Sequence, residues 1–490
     1  MPPRFSTPFE PLQLSVDDAT RLGDIARVFV QDHMRSYEKH LHEDQRRLDE
    51  RRWKLAKQRE GVRVYAEQPL RERRKSGGAT QDELEREYRC QQRRQAAGAA
   101  SGADKASAAA AASLADLPVV LAVGTIAGTL EDVMYGAVNS TVETMRIKSS
   151  YVGDNVADGA VLVTLVEPSA SDPFHSLTVK WMENGQPQVL RPVVKNRDFV
   201  YVEVTGLAEL TTGERVGYHL LHSVHFPQTP ELDARVRGSM SVCGIYRQER
   251  EGLVGVYVRA ILNPGGSIMR SLAVKAGAEA IISVTQLARC AQLKKLAWLA
   301  RTGRDARDQR AMEQAVAAAV AAAAISSPSA ESTGTSSSSA TTQPSVAPSS
   351  SVSVVTTAST FSQAAGATSE TCTSCQKRSV RRAPSGSMGR TISAKKPEDR
   401  DRCKICYRFV CSSCKVVRRL SFVTPQGELL RRELRFCGRC VADARAADAL
   451  TIASEEVAAG DQFADYYQCL SSRSGDSSLS ISMSSGSLSL

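Results

Sequence analysis

The chain has 490 residues, 42% of them apolar, and a formal charge of +10. That length and apolar content support two or three domains with a sizeable core, and the basic balance points to anionic partners. The opening MPPRFSTPFEPL lacks a basic start followed by an apolar core. The longest apolar run, AVAAAVAAAAI at 315–325, is too short to cross a bilayer, so a soluble, cytosolic protein is expected.

In chain order, Ser15-Val-Asp-Asp18 reads as a helix cap. Leu22, Ile25, Val28, Phe29, His33, Tyr37 and Leu41 then recur at helical spacing and predict one amphipathic helix. His33 and His40 on it read as surface or half-buried residues. WKLAKQREGVRVYAEQ at 53–68 predicts a strand pair with its turn at Glu60-Gly61. Residues 71–113 hold a basic run and an Ala/Gly/Ser stretch without apolar periodicity, and read as an exposed, disordered insertion. Folded sequence resumes at LPVVLAVGTIAG, 117–128, with a short helix from Thr129.

From there strands dominate: 161–167, 175–183, 198–207, 215–226, 237–248 and 253–262, alternating in polarity and separated by Gly, Pro and Asp turns, which predicts an antiparallel meander. His219, His222 and His225 do not share an ion on such a strand, because a spacing of three sends His222 to the opposite face. After Asn263-Pro264-Gly265-Gly266 a long helix is predicted from Ser267 to Arg301, with Ile268, Leu272, Ala276, Ala280, Val284, Leu287 and Ala291 in one stripe. A helix, a curved antiparallel sheet and a long closing helix make a helix-grip, an α+β fold with a deep apolar cavity.

From about residue 15 to 302 the chain resembles the START lipid-binding superfamily. The resemblance rests on Trp53 to Tyr65 with Gly61-Val62-Arg63-Val64-Tyr65, on Arg197-Asp198-Phe199 opening a strand, on Gly244-Ile245-Tyr246, and on the Asn-Pro-Gly-Gly turn before the last helix. It implies a non-catalytic pocket for one lipid or sterol beneath the C-terminal helix. Arg197 and Asp198 are candidates for polar groups near that pocket, or they pair with each other to fix the strand. Cys243 and Cys290 read as apolar core.

Residues 303–371 read as a flexible Ala/Ser/Thr-rich linker, helical at most in its alanine-rich part. Beyond it, eight of the twelve cysteines fall in four C-x-x-C pairs: Cys372/Cys375, Cys403/Cys406, Cys411/Cys414 and Cys437/Cys440. Each knuckle lets two thiolates face one ion, and Zn²⁺ prefers four sulfurs in a tetrahedron, so eight ligands predict two closed structural zinc sites. A disulfide framework fits a cytosolic chain poorly. Between Cys372 and Cys440 stand eighteen Lys and Arg against five acids, a larger excess than that of the whole chain.

The spacing through Cys403, Cys406, Cys411 and Cys414, with Phe409-Val410 before the fifth cysteine and Arg435-Phe436 before the seventh, resembles the FYVE family of phosphoinositide-binding zinc fingers. The resemblance covers 372–445. It implies a cross-braced finger, with Cys372, Cys375, Cys411 and Cys414 at one zinc and Cys403, Cys406, Cys437 and Cys440 at the other. It also implies Arg400, Arg402, Lys404 and Arg435 as phosphoinositide-binding residues. The family's upstream W-x-x-D is missing, and its R-R/K-H-H-C-R run falls on Asp399-Arg400-Asp401-Arg402-Cys403-Lys404 without either histidine. A divergent RING-type ubiquitin-ligase finger, also cross-braced, is the rival. Residues 446–490 read as a partly helical, then serine-rich disordered tail.

The expectation is a two-module, non-catalytic lipid-binding protein. Its tethered basic finger recruits it to anionic membranes, phosphatidylinositol 3-phosphate and the endosome included, while the other module binds or transfers a lipid. The alternatives are a protein-docking scaffold or a RING-like ligase. A hydrolase is disfavoured, since there is no G-x-S-x-G motif, and nucleic acid is a poor fit without aromatic platforms.

Overall fold

The structure is a computed structural model that describes residues 5–77, 80–81, 117–185, 195–266, 268–325, 370–379, 401–424 and 426–460. Most of the insertion 71–113, the linker residues 326–369, Arg400 and the tail from 461 lie outside these. The chain divides into two compact units. Met1–Leu299, Val417–Leu434 and Cys440–Leu490 form the first, and Ala300–Val416 with Arg435–Arg439 form the second.

Helix α1 (Val16–Glu38) starts where Ser15 accepts the Asp18 N–H at 3.1 Å. Its buried face is Leu22, Ala26, Val30, His33 and Tyr37, while Ile25 and Val28 of the predicted stripe face outward. A π-helical turn follows at Lys39–Glu43. The strands β1 (Trp53–Arg59), β2 (Val62–Glu67), β3 (Val119–Ala127), β4 (Val156–Val166), β5 (Ser176–Asn184), β6 (Arg197–Glu209), β7 (Arg215–Ser223), β8 (Val236–Arg237), β9 (Ser239–Arg250) and β10 (Leu253–Asn263) form one sheet. Its order is β1-β2-β3-β10-β9-β7-β6-β5-β4, with β8 beside β6. Every pair along that path is antiparallel. The predicted meander from β4 to β10 is present, and β10 closes onto β3.

Alternation along the strands gives the sheet two apolar faces. On one, Val202, Val204, Leu220, Cys243 and Ile245 pack against α1. On the other, Val120, Ala122, Val256, Val258 and Ala260 share a core with α3 (Leu130–Ala137), α4 (Val142–Val152), α5 (Arg270–Ile282) and the start of α6 (Leu287–Ile325). Helix α2 (Leu70–Ser76) follows β2.

The single helix predicted from Ser267 to Arg301 is instead broken by a 3₁₀ turn at Ser283–Gln286. There the Ser283 hydroxyl donates to the Ala280 carbonyl at 2.6 Å and the Thr285 hydroxyl to that of Ile282 at 2.9 Å. Short hydroxyl side chains compete in this way with the helical ladder. Gly277 lets α5 lie close to the sheet: a Cβ there would stand 2.2 Å from the Leu262 side chain. Helix α6 continues through Ile325, so the alanine-rich stretch 303–325 is helical.

Near the C-terminus come β11 (Glu370–Thr371), β12 (Arg378–Ser379), the hairpin β13 (Lys415–Val423) and β14 (Leu429–Cys437), α7 (Gly438–Ala446) and α8 (Ala449–Ala459). Sequence alone joined the hairpin to a finger and α8 to a tail. In the first unit, however, Ala449, Ile452 and Ala453 of α8 belong to the same core as Leu130, Val133 and Trp298. Hydrogen bonds reinforce this seat. The Tyr135 hydroxyl donates to Glu456 at 2.7 Å, and the Trp298 indole donates to Glu455 at 3.1 Å. Hairpin residue Ser421 receives the Ser150 hydroxyl at 2.8 Å and gives its N–H to the Tyr151 oxygen at 2.7 Å.

His33 and His40 are buried, at 5% and 7% exposure, rather than lying at the surface. Burial lowers the pKa of His33, His40 and His222. The Nδ1–H of His33 donates to the Phe29 carbonyl at 2.8 Å, leaving a buried Nε2 without a partner. Arg259 opposes the charged form of His33 and Asp32 favours it. His222 bonds Ser241, stacks on Phe29 and is opposed by His33. His40 stacks on Tyr257, with Asp44 favouring its charge and Arg46 opposing it. Because the folded pKa values lie below the unfolded one, the stability from these histidines is whole above about pH 6.5 and is lost as the pH falls below it. Thermal melts of the full chain should therefore fall from pH 7.5 to pH 5.5, and His33→Leu should flatten the slope. An unchanged melting temperature across that window would remove the histidines from the account.

Candidate functional site: an apolar cavity and two cysteine clusters

A cavity of about 240 Å³ lies between the sheet and α5. Ala273, Ala276, Gly277 and Ala280 of α5 form one wall, and Phe199, Leu221, Met240, Val242 and Leu262 of the strands form the other. Helix α4 adds Lys148 and Val152. Small residues on the helix face long ones on the strands across this space.

Arg197 is among the cavity residues, with Asn184, Asn263 and Pro264 around it. Its guanidinium donates to the Lys195 carbonyl at 2.6 Å and to the Pro264 carbonyl at 3.3 Å. Asp198 does not line the cavity and does not pair with Arg197. Adjacent strand residues point to opposite faces, and Asp198 is bound instead by Arg237 at 2.8 Å and the Trp181 indole at 3.0 Å. Arg197-Asp198 thus splits into one cavity residue and one anchor for β8.

Sequence reasoning missed the polar cluster farther along β6. Glu203, 2% exposed, accepts from Lys180, from Asn139 at 3.1 Å and from His219 Nε2 at 2.5 Å. Burial pushes the Glu203 carboxyl up, but Lys180, Lys148 and His219 outweigh it and hold it well below the ordinary range. Burial and Lys148 lower His219, against the pull of Glu203. The glutamate is therefore a carboxylate, and the histidine is neutral with its Nε2–H toward Glu203. The signal was charged residues inside otherwise apolar strands, HSLTVKWME and DFVYVEVTGL; a buried charge needs a partner.

The eight paired cysteines gather into two groups, Cys372, Cys375, Cys411 and Cys414, and Cys403, Cys406, Cys437 and Cys440. Within each group the four sulfurs lie within 4.8 Å of one another. These are the sets that the finger resemblance implied. Sulfur separations of 3.6 Å for Cys375–Cys411 and 3.9 Å for Cys406–Cys437 are far beyond a disulfide bond.

Two knuckles share one backbone design. Cys372 N–H bonds Lys377 O and Gln376 N–H bonds Cys372 O; Cys403 N–H bonds Arg408 O and Tyr407 N–H bonds Cys403 O. Gln376 and Tyr407 both sit at φ 59°, the left-handed conformation that closes each turn. Burial raises the Cys372 thiol, but the N–H groups of Cys411, Ser374 and Cys375 point at its sulfur and bring it down to about 6. Cys414 is pushed up to about 12 by its bonds with Cys375 and Cys411. Thiols this close cannot all ionise unaided, and a cation among them would neutralise the repulsion. The donor set fits a thiophilic metal ion in each group.

Of the basic residues expected at a phosphate, Lys404 and Arg435 are brought together: the Lys404 N–H bonds the Arg435 carbonyl at 2.9 Å. The Arg402 guanidinium donates to the Tyr407 carbonyl at 3.1 Å and lies over the Tyr407 ring. Arg400 is outside the described residues. No helix among the described residues is long and apolar enough to cross a membrane.

Among solved structures the chain is similar to human STARD10, at 13% identity and a TM-score of 0.32, over 58% of this chain and 82% of that one. It is also similar to the human StAR-related lipid transfer protein 5, at 11% and 0.35, over 55% and 97%. A third is a STAR-related lipid transfer protein fragment from Xanthomonas axonopodis, at 16% and 0.31, over 49% and 98%. Neither a family model nor a curated protein matches the sequence. The helix-grip assignment rests on the strand order and on α5 lying across the sheet.

Proposed function

We propose that this is a non-catalytic lipid-binding protein with START-like character. Its cavity takes a lipid or sterol, and two structural Zn²⁺ ions hold a FYVE-like basic finger that recruits the protein to anionic membranes. The observation that carries the reading is the apolar cavity under α5, walled by small helix residues. Pockets of this kind are apolar with a few polar groups that orient the ligand. The zinc ions would be structural: four thiolates each leave no open position for chemistry. Recruitment is supported by the basic excess between Cys372 and Cys440 and by the backbone hydrogen bond that sets Lys404 beside Arg435. The setting is the cytoplasmic face of a membrane, with phosphatidylinositol 3-phosphate as the headgroup to try first.

The two activities are separable. Ala280→Trp fills the cavity and should cut lipid loading of the full chain at least about tenfold, since an indole takes most of the volume a ligand would use. Sedimentation with anionic vesicles should be unchanged. Charge reversal at Arg402, Lys404 and Arg435 should release the chain from the vesicles and leave loading intact. The melting temperature of each variant controls for unfolding. Loss of both activities in a folded variant, or lipid-free protein that takes up no lipid, would overturn the reading.

A further inference from the structure

The deep end of the cavity holds polar groups whose hydrogen bonding is unfilled. Lys148 reaches in from α4 with its side chain 13% exposed, and its ammonium stands 3.8 Å from Glu203 Oε1, outside hydrogen-bonding distance. That oxygen already accepts from Asn139 and His219. The Lys148 ammonium therefore keeps its three donors, with no hydrogen bond to any described residue.

His219 Nε2 is spent on the same oxygen, at 2.5 Å, so its ring and the Lys148 ammonium share one neighbour. With Nε2 donating, Nδ1 is left as an acceptor on a ring that lines the cavity. Opposite His219 in the β7–β9 register stands Gly244. The Tyr246 hydroxyl occupies the space a side chain there would fill, 2.5 Å from where the Cβ would be. That hydroxyl, on a residue 2% exposed, makes no hydrogen bond among the described residues. Tyr246 also lines the cavity. Three elements thus bring an ammonium, an imidazole nitrogen and a phenol to one end. Asp154, the acid on this cavity, is held by the Ser149 hydroxyl at 2.5 Å and forms no ion pair with Lys148 among the described residues.

We propose that Lys148, Tyr246 and His219 form a buried site for the anionic oxygen head of a single-chain lipid, bound head-inward with its chain running toward Arg197. A buried donor or acceptor left without a hydrogen bond is unfavourable, and a monoprotonated phosphate monoester fills all three positions. The phosphate accepts from the ammonium and the phenol and donates its remaining P–OH to Nδ1, whereas a carboxylate accepts from the ammonium and the phenol and leaves Nδ1 unfilled. The cavity, about 240 Å³, lies below the roughly 300–1,000 Å³ of pockets that hold bulkier ligands, which favours one chain over the two of a diacyl lipid. From Glu203 to Arg197 the strand runs six residues, about 20 Å at ~3.3 Å per residue, enough for one extended acyl chain.

This inference rests on the reading of the cavity as a lipid site, and the test separates the two. The zinc-loaded full chain is titrated with palmitate, 1-palmitoyl lysophosphatidate, methyl palmitate and hexadecanol. At least one acid should bind about tenfold or more tighter than the uncharged chains. Preference between palmitate and lysophosphatidate identifies the head. Lys148→Met should abolish the preference and Lys148→Arg retain it. Tyr246→Phe, which removes a single oxygen and spares the packing, should weaken acid binding and leave the ester unchanged. Equal binding of acids and uncharged chains, unaltered by these substitutions, would overturn the inference and leave the lipid site standing. Binding of none of the four would overturn both.

Discussion

A chain ending at residue 446 should lose about 5 kcal/mol of stability in its first unit, enough to leave it partly unfolded, since domains are typically stable by only ~5–15 kcal/mol. Helix α8 is the cause. Ile452, 4% exposed, and Ala449 and Ala453 beside it fill the core formed with Leu130 and Val133; removing an isoleucine from such a place costs roughly 2–5 kcal/mol. The deletion also strips partners from buried polar groups. Lys295, 1% exposed, is paired with Asp132 at 2.8 Å and donates to the Ala447 carbonyl at 2.8 Å and the Arg445 carbonyl at 3.2 Å. Without α8 the Trp298 indole and Tyr135 hydroxyl lose Glu455 and Glu456 as well. Urea denaturation of the full chain, the truncated chain and Ile452→Ala gives the comparison, with Ile452→Ala expected to fall between the other two. Equal midpoints for full and truncated chains would show that α8 adds nothing to this core. A shorter chain, cut at the sequence-based boundary of 302, carries the same defect, so lipid binding is best measured on the whole protein.

What the residues disclosed in advance follows from how local each signal is. The strands were legible because period-two alternation and Gly, Pro and Asp turns act within ten residues, and β5, β7 and β10 begin within one residue of their predicted starts. The cysteine groups were legible because C-x-x-C places two ligands on one turn. Helix α4 was not, although Thr141 and Thr144 cap each other with bonds of 3.0 and 3.2 Å. Threonine at the fourth position of the box replaces the glutamate that usually announces it. The seat of α8 was hidden for another reason. Its core residues are two alanines and an isoleucine, which look like any short amphipathic segment until α3 and α6 are placed beneath them. The deep polar end of the cavity required register: Tyr246 meets His219 only because β9 pairs with β7 so that Gly244 lies between them. No spacing within one segment encodes that.

Metal removal is expected to have the largest effect of all on the second unit. Its knuckles at 372–376 and 403–407 are built on four-residue turns with little apolar core, so the metal–sulfur bonds must supply the folding free energy. For small zinc-binding peptides that is about 10–16 kcal/mol per structural ion near neutral pH. The full chain should carry two equivalents of zinc, and a chelator should release both and expose eight further thiols to a colorimetric reagent. Hydrogen exchange should then rise across 370–379 and 401–416. It should change little in β5 and β6, whose bonds do not pass through a cysteine. The hairpin between the sites decides how far the damage travels. Lys415 follows Cys414 directly and β14 ends at Cys437, so a ligand from each group pins one end of it. Its middle is held separately, by Tyr151 and Ser150 at Ser421 and by Arg431 donating to the Ser150 carbonyl at 3.0 Å. Residues 417–434 should therefore keep part of their protection after chelation, whereas Cys411→Ser and Cys437→Ser should each release one ion. If the chelated chain kept full protection at 370–379 and 401–416, or if the eight thiols stayed unreactive because they were oxidised, the metal assignment would fail. The basic finger would then need another source of order.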